Sequence, residues 1–375
     1  MNLLKLYTSI VLVLILVGCN SKPANQDSKN VKDSYEIHYA KGFQVKKFAD
    51  YTEVSVVNPW DTTKLLQKYI LVKKNRKLPA DLPKGTIVRV PLNKVITYNA
   101  IHCSTLKELA SIGIVKGVCE PQYIKTEEVI EGVKTGSITD LGLASNPDVE
   151  KIIMLSPDAI LTSPISGQAY GSVTNTNIPM IETPDYTEPH PLGRAEWIRF
   201  YSLFIDKEQL ADSLFNITVT NYNNIKKIAS EVSKRPTVFT DMRYMGSWNM
   251  PGGKSYMANM LADGGGSYLW ADDNTTTFLP LSFESVLDKA GDADVWLIRY
   301  YVSDDITYKS LEKEYKPYSY FRAFKEKNVY GCNTSYSSYY DDLPIHPDYI
   351  LKDFVKVFHP ALFPDYQLKY YKELE

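Results

Sequence analysis

Arginine and aromatic side chains recur directly after short apolar runs of this chain. Tyr98 follows Val95 to Thr97. Arg243, Tyr244 and Trp248 follow Thr237 to Thr240, and Arg299, Tyr300 and Tyr301 follow Val295 to Ile298. Arg194 and Trp197 open a long stretch of helical spacing. Tyrosine and tryptophan offer flat apolar area with a polar edge, and arginine pairs with carboxylates or catecholates. Such a set suits a large, planar or macrocyclic, often anionic ligand. With 28 tyrosines in 375 residues, other rings must serve core or surface, and about half of the named set is expected to touch a ligand.

Catalytic patterns are missing from the sequence. No GxSxG, no HExxH and no cysteine–histidine pair at a strand-to-helix turn occurs. His102, His190 and His346 are scattered, whereas a metal-ion site needs several ligands converging, so each is read as structural and no metal site is expected. Gly264 to Gly266 follows a helical run instead of preceding one, which reads as a helix-ending turn and not a phosphate loop. Cys103, Cys119 and Cys332 are either buried free thiols or, for Cys103 with Cys119, a disulfide. The net charge is −2, with both signs mixed along the chain, which argues against nucleic acid as a partner.

The elements that must carry these residues alternate between strand-like and helical runs, the pattern of an α/β protein. Strands are expected at Glu53 to Val57, Tyr69 to Val72, Thr86 to Val90, Val95 to Tyr98, Asp158 to Thr162 and Ile178 to Ile181. A helix capped by Ser104 and Thr105 should run to Ile112. From about 193 to 232 the helical spacing continues with one brief break near Ile205 to Glu208, longer than a crossover needs. Strands then follow at Thr237 to Thr240, Val295 to Arg299 and Asn328 to Tyr330, with helices at Ser255 to Leu261, Leu281 to Ala290 and Pro347 to Phe358. Glu150 and Glu284 each head a helical run that leads to a strand, a faint internal repeat.

The first residues address the chain to a membrane. Lys5, the apolar run Ile10 to Val17 and Leu16-Val17-Gly18-Cys19 form a lipoprotein signal, making residues 1–18 a signal peptide and Cys19 the lipidated N-terminus. At about 0.8 kcal/mol per buried methylene, two or three acyl chains give a lasting anchor. Residues 19–34 read as a flexible tether, being nearly free of apolar side chains. No second run is long enough to span a bilayer.

NPDVEKIIMLSPDAILTS, RPTVFTDMRYMGSWNMPGGKSYMANMLADGGGSYLW and LSFESVLDKAGDADVWL, taken in order, resemble the cobalamin and iron-siderophore binding proteins of ABC importers (class III, lipoprotein subgroup). The resemblance covers most of residues 85 to 360. It implies two Rossmann-like lobes, 35–190 and 233–375, joined by one long spine helix within the helical stretch 191–232, with a ligand cleft between them. It implies a metal chelate as ligand (ferric siderophore, cobalamin or haem), no cofactor of the protein's own and no enzymatic activity. Glu150 and Glu284 would dock on a permease dimer served by ATPase subunits. The protein would be a lipid-anchored monomer of the cell envelope, on the periplasmic side. Two other readings stay open: a haem- or cobalamin-capturing lipoprotein working without a permease, and a hydrolase or chelatase on the same scaffold.

Overall fold

The computed structural model describes residues 31–167 and 169–375. The signal peptide, Cys19 and most of the tether lie outside them. The expected tether boundary at 34 is corrected, because Val31–Tyr35 is already a strand, paired antiparallel with Phe43–Phe48. Tyr35 anchors it, its ring lying 4.4 Å from the Arg199 guanidinium and its hydroxyl donating to Asp212.

That strand edges a five-stranded sheet in chain order, with Thr52–Val57, Leu65–Lys73 and Thr86–Val90 completing it. Two buried carboxylates tie the sheet to the rest of the molecule. Glu196 accepts from the backbone N–H groups of His38, Tyr39 and Ala40 at 2.7 to 3.1 Å. Glu188 accepts from Lys41 and Gly42 and from the Trp197 indole. Gly42 is required here, since a Cβ would fall 2.6 Å from the Trp197 ring.

Two further five-stranded sheets form the lobes. In the first, Val95–Thr97, Val115–Val118, Thr139–Asp140, Ala159–Thr162 and Met180–Glu182 are all parallel, with spatial order 3-2-1-4-5 counted along the lobe. In the second, Thr237–Thr240, Ser267–Tyr268, Val295–Tyr300 and Val329–Asn333 are parallel and Lys372–Glu373 antiparallel, with order 2-1-3-4-5. Both are doubly wound orders, in which the strand direction of growth reverses beside the first strand and leaves a crevice at the carboxyl ends. Helices cover these sheets, and the architecture is α/β as expected.

The expected single spine helix is corrected to three, Pro191–Ala195, Trp197–Leu203 and Glu208–Ser230. Pro191 sits in the first turn, where its missing N–H costs nothing, and His190 accepts from the Leu192 N–H as its cap. The break after Leu203 coincides with Asp206, whose φ of 57° no helix continues. Among the described residues, no helix is long and apolar enough to cross a membrane.

One expected helix is displaced. It spans Ala100–Glu108, beginning before Ser104, because the strand Val95–Thr97 ends abruptly and Asn99, in extended geometry, starts the turn. Ser104 is interior to it and donates instead to the Ile101 carbonyl. Cys103, Cys119 and Cys332 are buried free thiols, and burial pushes both Cys103 and Cys119 up to about 12. His102 is equally structural, bonded to the Tyr201 hydroxyl at 2.9 Å and pushed by burial down to about 3.

Candidate binding site

A cavity of about 820 Å³ opens between the lobes. Its lining comes from residues just beyond strand carboxyl ends, as the doubly wound topology dictates. From the first lobe come Ile101, Ser163 and Asp185, and from the second Asp241, Tyr301 and Thr334. Six of the nine candidate ligand residues line it: Arg194, Arg243, Tyr244, Arg299, Tyr300 and Tyr301.

Tyr98, Trp197 and Trp248 do not, which corrects their assignment. Tyr98 is 3% exposed and packs with Ile96 and Ile160 in the first lobe, with burial raising its hydroxyl above the usual tyrosine range. Trp197 faces inward from the spine against Phe43 and Phe200. Trp248 lies on the strand Ser247–Pro251, folded back over Phe239 and Trp296, and its indole donates to the Thr240 carbonyl at 2.9 Å. Their place after a strand or at a helix start was read correctly, but not the face on which the ring lies. Burying such an indole removes a large apolar area from water, and truncating one to alanine costs about 3–5 kcal/mol.

Two aspartate–arginine pairs flank the cavity, one from each lobe. Arg194 Nε donates to Asp185 Oδ2 at 3.0 Å, while Asp185 Oδ1 is buried with no hydrogen-bond partner. Burial raises the Asp185 carboxyl above its ordinary range, and Arg194 pulls the other way. Arg299 reaches Asp241 through two bonds, Nε to Oδ1 at 2.9 Å and Nη2 to Oδ2 at 2.6 Å. Arg243 lies 4.5 Å over the Tyr315 ring and makes no ion pair among the described residues.

At the mouth, Tyr123 and Tyr301 meet edge to face across the lobes, ring centroids 5.9 Å apart. Lys125 of the first lobe donates to the Ser335 carbonyl of the second. Asp341, also lining the cavity, is pushed up to about 6, by burial first, with Asp342 adding to the rise and Lys125 opposing it. The acids Asp185, Asp241, Glu314 and Asp341 were all missed by the sequence reading. The available signal was position: Asp185 and Asp241 each come within three residues of a strand's carboxyl end.

Glu150 and Glu284 are exposed, each in the first turn of a short helix, Val149–Leu155 and Phe283–Ala290. Their neighbours do the capping: Asp148 accepts from the Lys151 N–H and Ser282 from the Ser285 N–H. No group of three His, Cys, Asp or Glu side chains that could hold a metal ion occurs among the described residues.

No family model matches the chain. An uncharacterized lipoprotein of Methanocaldococcus jannaschii is 25% identical over 391 residues, covering 94% of this chain and 92% of that one. A possible iron-binding (periplasmic solute-binding) protein of Staphylococcus epidermidis superposes with a TM-score of 0.55 at 16% identity, over 71% of this chain and 98% of that one. An ABC-type Fe3+-hydroxamate transport system protein of Saccharomonospora viridis gives 0.55 at 18% identity, over 72% and 94%. In its two doubly wound lobes, helical spine and interlobe cavity, this chain has the fold of the periplasmic solute-binding proteins.

Proposed function

We propose that the protein captures a metal chelate in the interlobe cavity and hands it to an ABC permease. The observation that carries this reading is the cavity itself, of a volume suited to a small-molecule complex and walled by aromatic and arginine side chains from both lobes. The solute-binding fold and the iron-related descriptions of its structural neighbours support the choice of ligand class. Binding between lobes, not turnover, is the activity this reading assigns. The lipid on Cys19 would hold the protein at the envelope, in keeping with its lipoprotein relative.

Calorimetric titration of the full-length protein with ferric siderophores, haemin and cyanocobalamin tests the ligand. One class should bind saturably at submicromolar concentration; no binding by any of them would end the chelate reading. For the permease, Glu150 and Glu284 are the proposed contacts. Both are exposed, and two separated charge pairs fix orientation more than they add affinity. Changing both to alanine should leave ligand affinity within twofold and cut uptake by the intact transporter at least tenfold. Undiminished uptake would favour the alternative, a lipoprotein that captures its ligand without a permease.

A further inference from the structure

The charges around the cavity point to a narrower ligand class. Four cationic side chains line it, Lys125, Arg194, Arg243 and Arg299, and four acidic ones, Asp185, Asp241, Glu314 and Asp341. The two sets cancel. Moreover, Arg194 and Arg299 each already hold an aspartate, and Arg243 and Lys125, unpaired among the described residues, are matched in number by the likewise unpaired Glu314 and Asp341. A multiply charged anion entering this space would lose its hydration against fixed carboxylates and gain little from cations whose charge those carboxylates already offset.

What the cavity offers instead is acceptors. Asp185 is 2% exposed, and its Oδ1 has no hydrogen-bond partner. A buried acceptor left unmet costs free energy until a donor arrives, and Asp185 is one of the side chains lining the cavity. A ligand N–H or O–H placed there would complete the aspartate's bonding without breaking its pair with Arg194. The exposed rings of Tyr244 and Tyr301 supply apolar contact from the second lobe's wall of the cavity.

We propose that the cavity selects a chelate with no net negative charge that presents an amide, hydroxyl or ammonium donor to Asp185. This deepens the chelate reading and rests on it. The expectation that an anionic chelate suits an arginine-rich cleft is thereby reversed, because the cavity's cations are matched one for one by carboxylates and two of its three arginines already hold one.

The test uses three ferric complexes of similar size with the full-length protein at physiological salt: a neutral trihydroxamate, an ammonium-bearing monocationic trihydroxamate and a trianionic tris-catecholate. The neutral or cationic complex should bind about a hundredfold more tightly than the trianion. Equal or tighter binding of the trianion overturns the charge assignment and leaves the chelate reading standing. Binding by none of the three overturns this proposal, while the chelate reading then stands or falls on haemin and cyanocobalamin. Two substitutions add independent readouts. Asp185→Asn should lower affinity for the donor-bearing neutral complex roughly tenfold; unchanged affinity overturns the role given to Asp185. Should that variant fail to fold, Glu314→Gln changes an exposed rim residue that has no ion pair among the described residues. It should improve trianion binding roughly threefold and leave the neutral complex unaffected. No change in the ratio of the two affinities overturns the role given to the charge balance.

Discussion

The two aspartate–arginine pairs line the same cavity and are built differently. Asp241 and Arg299 form a fork, both carboxylate oxygens used, each side chain 17% exposed. Asp185 and Arg194 share one bond, the aspartate nearly sealed from solvent and one of its oxygens unmet. Asp241 follows the first strand of its sheet, beside the crevice, whereas Asp185 follows the edge strand of its own. In the second lobe the pair spans the crevice itself, Asp241 following the strand Thr237–Thr240 and Arg299 lying on the adjacent Val295–Tyr300. It therefore fastens two neighbouring strands. In the first lobe the pair joins the turn after Met180–Glu182 to the first helix of the spine, so it braces the place where the lobes part. A pair completed by the fold itself serves stability, and one completed only by a ligand serves recognition.

Substitution separates these roles, with the largest effect in the second lobe. Asp241→Ala would leave the Arg299 guanidinium buried without its counterion, a loss of about 3–5 kcal/mol in urea denaturation. Asp185→Asn retains an acceptor for Arg194 Nε and removes a carboxylate that burial disfavours, so its cost should stay below about 1.5 kcal/mol. The order should reverse for ligand affinity. Equal destabilisation by the two variants would mean that the pairs are equivalent after all.

Asp341 tests the same contrast through pH. Its carboxyl titrates near pH 6 in the folded chain, above the ordinary value of 3.8, because it is desolvated beside Asp342. The folded protein thus holds a proton there that the unfolded chain has released between pH 4 and 6. Stability contributed by this group is therefore lowest above pH 6 and is regained as the pH falls towards 4. Asp341→Asn should stabilise by about 1–2 kcal/mol at pH 7.5, and by nothing measurable at pH 4. Unfolding midpoints at the two pH values check it, and a pH-independent gain would place its cause in packing instead.

Much of this architecture was written in short-range pattern. Apolar runs such as AILT and TVFT fixed the parallel strands, and the helical spacing from 193 to 232 marked the spine, including its break before Glu208. The edge of the N-terminal sheet was not legible, because VKDSY is mostly polar and the alternation in FQVKKF covers only Phe43 to Lys46, too short a run to separate from loop. Within the site, six residues were found because arginine and tyrosine after a strand stand out by type. Their counterions did not, since Asp241 and Arg299 are 58 residues apart and only the parallel pairing of their strands unites them. Trp197 and Trp248 show the converse limit. Position after a strand or at a helix start locates a residue near the crevice, but the direction of its ring depends on packing with Phe43 for Trp197 and with Trp296 for Trp248, which lie far off in sequence.

The smallest effect concerns the mouth, where neither lobe acts alone. Tyr123 and Tyr301 are each just over half exposed, so their edge-to-face contact gains little from burial. A double-mutant cycle with Tyr123→Ala and Tyr301→Ala should give a coupling of about 0.5 kcal/mol in the ligand-free protein, the low end for aromatic pairs. Because the contact bridges the lobes, its coupling reports on their separation as well as on the rings. Bound ligand that draws the lobes together should raise the coupling, whereas a value of zero without ligand and a finite one with it would show that the mouth stands open until the ligand arrives. The paired arginines make the same distinction from inside the cavity: a completed fork keeps one wall fixed, and the lobe that carries the incomplete pair is the one with something to gain by closing.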